Sequence, residues 1–81
     1  MNLFVANFDE DVREGDLDEL FRDYGEVTSS RIWIDFKTRK PCGFGFVEMK
    51  DDENAEDAIK ELNGKLWRGK YLTVSKARKQ R

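Results

Sequence analysis

The sequence predicts an α+β sandwich in the order β-α-β-β-α-β, a four-stranded antiparallel sheet with two helices on one face. Three observations lead there. Two stretches carry apolar residues three and four apart, the period of a helix with one buried stripe. Four short runs alternate or are rich in β-branched and aromatic residues, the mark of strands. And 81 residues leave no material for a third layer, so the other face of the sheet is open to water.

Leu3-Phe4-Val5-Ala6 is a short apolar run ending at Asn7, long enough for the first strand, and Asp9-Glu10-Asp11 is a polar connection. From about Gly15, Leu17, Leu20, Phe21 and Tyr24 form a helical stripe, with Gly25 as its C-terminal stop. Val27 to Asp35 is the second strand, with Ile32 and Ile34 on one parity and Arg31 and Trp33 on the other. Residues 36–41 are a basic loop closed by Pro41, which cannot donate to a central ladder. The third strand is Cys42-Gly43-Phe44-Gly45-Phe46-Val47-Glu48-Met49. Asp51 or Asp52 caps a second helix with Ala55, Ala58, Ile59 and Leu62 on its apolar stripe, and Asn63-Gly64 ends it with residues that tolerate left-handed backbone. A tight excursion over residues 65–70 leads to the fourth strand, Tyr71 to Ser75. We expect one domain over 1–76 and a short basic tail over 77–81. This is the split βαβ, ferredoxin-like, arrangement.

Composition narrows the chemistry. With no histidine and one cysteine, neither a zinc site nor a nucleophile–histidine pair has residues to draw on, and we expect no enzyme and no cofactor. The lone cysteine suits a reducing compartment, hence a cytoplasmic location. No apolar run is long enough to span a membrane, and the N-terminus lacks the basic start and cleavage site of a signal peptide. The formal charge of −2 hides four blocks of alternating sign: −7 over residues 1–30, +3 over 31–50, −5 over 51–62 and +7 over 63–81. Both negative blocks contain a predicted helix. The positive ones are the basic loop and the last strand with its tail.

Alternation decides which side chains work. Successive strand residues face opposite ways, so a helix-covered face of Leu3, Val5, Ile32, Ile34, Val47, Met49, Leu72 and Val74 puts Phe4, Ala6, Arg31, Trp33, Cys42, Phe44, Phe46, Glu48, Tyr71, Thr73 and Ser75 on the open face. Gly43 and Gly45 then fall on the covered side, where their small size would let the helices approach. Exposed aromatic rings in one patch mark a binding surface. Flat rings rimmed by Arg and Lys suit unstacked bases and their phosphates.

At these residues the chain resembles the RNA recognition motif family. CGFGFVEM, Cys42–Met49, is similar to the family's octamer, K/R-G-F/Y-G/A-F-V-x-F/Y, and Leu3-Phe4-Val5-Ala6-Asn7-Phe8 to its hexamer. Asp16-Leu17, Leu20-Phe21, Tyr24-Gly25, Leu62-Asn63-Gly64 and Gly69-Lys70-x-Leu72-x-Val74 extend the likeness over residues 2 to 77. It looks most like compact single-domain bacterial members and the corresponding domain of plant glycine-rich RNA-binding proteins. The resemblance implies base stacking on Phe4, Phe44 and Phe46. Cys42 stands where the family has Lys or Arg for phosphate, and Met49 where it has an aromatic ring. Arg31, Arg39 and Lys40 are candidates to supply the missing cation, and Lys76 and Arg78 of the tail to add phosphate contacts. Trp33 either extends the stacking surface or lies under the tail; Trp67 is read as packing, Phe36 as an exposed contact candidate, and Tyr71 as edge packing or contact. Glu48 shares the open face, able to repel phosphate or accept from a base amine. The expected partner is single-stranded RNA bound by a monomer. Single-stranded DNA, and a basic protein partner on the acidic helices, are the alternatives.

Overall fold

The computed structural model describes residues 1–77, apart from the side chains of Pro41 and Cys42, and Arg78 lies outside it. The chain runs β1 (Asn2–Ala6), α1 (Glu14–Arg22), β2 (Val27–Ile34), β3 (Pro41–Met49), α2 (Asp52–Leu62), β4 (Leu66–Trp67), β5 (Lys70–Tyr71) and β6 (Thr73–Lys76). The four-stranded sheet has the order β2-β3-β1-β6, antiparallel throughout. No helix among the described residues is long and apolar enough to cross a membrane.

Helix ends follow local chemistry. Asp16 Oδ2 accepts from the Arg13 N–H at 2.9 Å at the start of α1, and Asp51 Oδ1 caps α2 by accepting from the Glu53 N–H at 3.0 Å. The core lies between the helices and one sheet face. Leu3 and Val5, Val47 and Met49, and Val74 meet Leu17 and Phe21 of α1 and Ala55, Ala58 and Leu62 of α2, all buried. Phe8 and Val12, from the loop after β1, join them. Asn7 bends the chain inward there with a left-handed backbone, φ 65°, and its N–H donates to the Gly43 carbonyl at 2.8 Å. Asn tolerates that conformation better than most residues.

Four expectations need correction. Ile34 is 52% exposed: the β2–β3 register shifts between Ile32 and Ile34, so the alternation does not carry Ile34 under the helices. The glycines of β3 do not serve helix approach. A Cβ on Gly45 would collide with the Arg31 carbonyl oxygen of the neighbouring strand. Gly43 holds a left-handed backbone, φ 86°, that a side chain would strain. The fourth strand is divided: Lys70–Tyr71 pairs with Leu66–Trp67 in a separate ribbon, and only Thr73–Lys76 joins the main sheet. Finally, Asn63 is extended rather than left-handed, φ −67° and ψ 120°; Gly64 takes the positive φ. Asn63 instead turns its side chain to β6, where Oδ1 accepts from the Val74 N–H at 3.0 Å.

Candidate nucleic-acid interface

The open sheet face is built from strand parity. On β1, Leu3 and Val5 are buried, so Phe4 and Ala6 face away from the helices; on β3, buried Val47 and Met49 leave Phe44, Phe46 and Glu48 on the same side. Register then sets the rows. Phe4 lies opposite Phe46 on one side and Ser75 on the other, and Ala6 opposite Phe44 and Thr73. On β2, Arg31 lies opposite Phe46 and Ser29 opposite Glu48. Asn2 of β1 is the other neighbour of Glu48.

These rows bring the rings together. Phe4 is 5.9 Å from Phe44 and 5.6 Å from Phe46, centroid to centroid, with the planes tilted. Trp33 meets Phe46 edge-on at 6.0 Å and is 45% exposed. The three phenylalanines are half-buried. Their neighbours hold them in place while part of each ring stays open, an arrangement suited to receiving flat aromatic ligands. Ala6 and Ser75 are small, so nothing on the rows themselves overhangs the rings.

The predicted cations are placed unevenly. Arg31 is exposed within the aromatic rows. Lys40 is exposed in the tight loop after β2, whose ends are tied by the Asp35 N–H donating to the Lys40 carbonyl at 2.9 Å. Arg39 sits in the same loop but lines a groove with Val12, Glu14 and Ile34, beside the start of α1. The loop does not bring it among the rings. Lys76 is opposite Leu3, on the helix-side parity of β6, and exposed at the strand's end. The side chain of Cys42, and Arg78, lie outside what is described.

Aromatic residues off the main rows divide by role. Trp67 packs against the core, and the Arg68 guanidinium lies 5.0 Å above its ring. Arg68 also reaches Asp16 of α1 at 3.2 Å, tying the ribbon to the helix. Phe36 is 98% exposed in the loop, and Tyr71 is 64% exposed on the ribbon rather than on the main sheet. The Tyr71 carbonyl accepts from Asn7 Nδ2 at 2.8 Å.

The face also contains residues the sequence reading missed. Asn2 and Ser29 join Arg31, Trp33, Phe46 and Glu48 around a pocket of about 320 Å³. Asn2 shares the parity of Phe4 and would have been found by starting β1 one residue earlier. Ser29 shares the parity of Arg31 and Trp33 and pairs in the same regular stretch as Arg31, and would have been found by extending the open-face alternation two residues back along β2. Charge is layered as well. Along α1, four acidic residues face one Arg in number, and along α2 five face one Lys, while the open face carries Arg31 and Glu48 as its charged described residues.

The family model of the RNA recognition motif matches residues 3–73. Among curated proteins, the chain is 40% identical over 78 residues to RbpE of Nostoc sp., covering 96% of this chain and 79% of that one. It is also 40% identical to RbpA of Synechocystis sp., covering 96% and 77% of the two chains. Among solved structures, RNA-binding protein PG1 matches with a TM-score of 0.95 and 43% identity over 100% of this chain and 98% of that one. The Sxl-lethal protein/RNA complex matches with a TM-score of 0.90 and 38% identity, over 98% of this chain and 47% of that one.

Proposed function

The chain belongs to the RNA recognition motif family, and from that premise we propose that it binds single-stranded RNA across its open sheet face. The observation that carries the reading is the cluster of Phe4, Phe44 and Phe46, three half-buried rings on the uncovered side, with Phe4 within 6 Å of each of the other two. A π-face accepts any base, so such a cluster holds a strand whose bases are unstacked and splayed. The matched PG1 structure is of an RNA-binding protein, and the matched Sxl-lethal structure is a complex with RNA. Both support the same reading.

Charge adds orientation. Nine of the 17 acidic residues lie on α1 and α2, behind the sheet, so a polyanion is repelled from that layer and steered to the other. Lys40, with Arg39, Lys76 and Arg78 as further sequence candidates, neutralises phosphates along the strand, and Arg31 adds its charge among the rings. The protein acts by binding rather than by catalysis, as a monomer, on transcripts in a reducing cytoplasmic setting.

Phe44→Ala tests the reading. Loss of one stacked base costs about 1–3 kcal/mol, or roughly 5- to 150-fold in affinity. Fluorescence anisotropy with a labelled pool of random single-stranded RNA measures it, with circular dichroism to check the fold. Wild-type affinity in a folded Phe44→Ala protein rules the sheet face out as the binding surface.

A further inference from the structure

We propose that the pocket beside Phe46 selects a guanine base, with Glu48 reading its Watson–Crick edge and Arg31 its O6 and N7. The proposal rests on the RNA-binding reading above and names the base that one part of the face prefers.

A carboxylate in the middle of a polyanion-binding face is a liability unless something other than phosphate meets it. Glu48 lies between Ser29 and Asn2 in the sheet register, one row from Arg31 and Phe46. All five line the same pocket, with Trp33 completing its wall. The two opposite charges do not spend themselves on each other or on neighbours. Among the described residues, neither the Glu48 carboxylate nor the Arg31 guanidinium takes part in an ion pair or a hydrogen bond. Both are exposed and face the space above Phe46.

Their chemistry separates the bases. An ionised carboxylate only accepts, and a guanidinium only donates. Guanine alone presents two adjacent donors, N1–H and N2–H, to which a carboxylate binds through two parallel hydrogen bonds. Adenine and cytosine each offer one amino donor beside an unprotonated ring nitrogen, whose lone pair repels the second carboxylate oxygen. Uracil offers one N–H flanked by carbonyls, which repel both. The remaining acceptors of guanine, O6 and N7, match a guanidinium, the commonest specific pairing of arginine with a base. The Phe46 ring and the edge-on Trp33 supply an apolar wall for the purine. Asn2 and Ser29 stand at the rim, able to donate or accept as the strand passes.

The test uses four labelled heptamers, UUUGUUU, UUUCUUU, UUUAUUU and all-U, titrated by fluorescence anisotropy against wild type and Glu48→Gln. A well-formed bidentate contact discriminates by ~5- to 150-fold, and the wild type is expected to favour the G-containing strand by that margin. Glu48→Gln replaces one acceptor oxygen with a donor. It should erase most of the preference while holding or raising affinity for the all-U strand, because a negative charge has left the face. Glu48 is exposed, so the variant should fold, and circular dichroism verifies it. Equal wild-type affinity for the four strands, a preference for C or A, or a G preference untouched by Glu48→Gln overturns the proposal while leaving RNA binding intact. A wild type that binds none of the four overturns the RNA-binding reading itself, and the guanine assignment with it.

Discussion

Asn63→Ala should loosen one edge of the sheet. β6 is an outer strand, bonded to β1 on one side only. On its outer side the buried Val74 N–H is met by Asn63 Oδ1 at 3.0 Å. Truncation leaves that donor without its partner, and an unsatisfied buried group costs about 1–3 kcal/mol. The neighbouring bonds, Gly64 N–H to the Leu72 carbonyl at 2.7 Å and Leu72 N–H to the Lys65 carbonyl at 2.9 Å, hold the same segment and keep the loss toward the lower end. At roughly 0.05–0.15 kcal/mol per residue a domain of this size has about 4–12 kcal/mol in total, so even the lower end is a measurable share. Each kcal/mol lowers Tm by roughly 4–8 °C for a domain this small. Urea unfolding measures the loss, and amide exchange at Val74 locates it. Asn63→Asp keeps an acceptor in place and should lose less. An Asn63→Ala protein that unfolds at the wild-type urea midpoint, with Val74 exchanging at its wild-type rate, refutes the reasoning.

Other predictions follow from the core and the charges. Phe8→Ala removes a ring that is 2% exposed and should cost about 3–5 kcal/mol, read as a large fall in urea midpoint, with Phe8→Leu much milder. Lys40→Ala should make the plot of log affinity against log salt shallower by about 0.7; an unchanged slope removes Lys40 from the phosphate contacts. Burial first, then the Glu61 and Asp23 carboxylates, pushes the Tyr24 hydroxyl above its ordinary value of 10.0. The folded state therefore holds this proton more tightly than the unfolded chain. The contribution is intact below pH 10.0 and is lost as pH rises through the folded-state value. Alkaline unfolding of Tyr24→Phe beside wild type should show that part of the decline removed.

Much of the fold and the rings of the site were legible because alternation is a local property. Phe44 and Phe46 flank Gly45 on a single strand, and the chain geometry alone sends them to the face opposite Val47 and Met49. The same rule recovered Phe4 on β1. It failed where pairing stopped being regular: Ile34 beyond a register shift, and Tyr71 on a ribbon that ends before β6 begins. Arg39 shows a second limit, since a loop's composition says nothing about which side of the sheet its side chains reach.

By itself, then, the sequence determined the element order, the covered and open faces, and the placement of Phe4, Phe44 and Phe46 on the open one, all of which follow from backbone period and apolar patterning within short segments. Tertiary structure alone decided why β3 needs its glycines, what Asn63 holds, and that Glu48 shares a pocket with Arg31 and Asn2. Those facts depend on which backbone lies beside which, and residues brought together from β1, β2 and β3 have no common pattern along the chain.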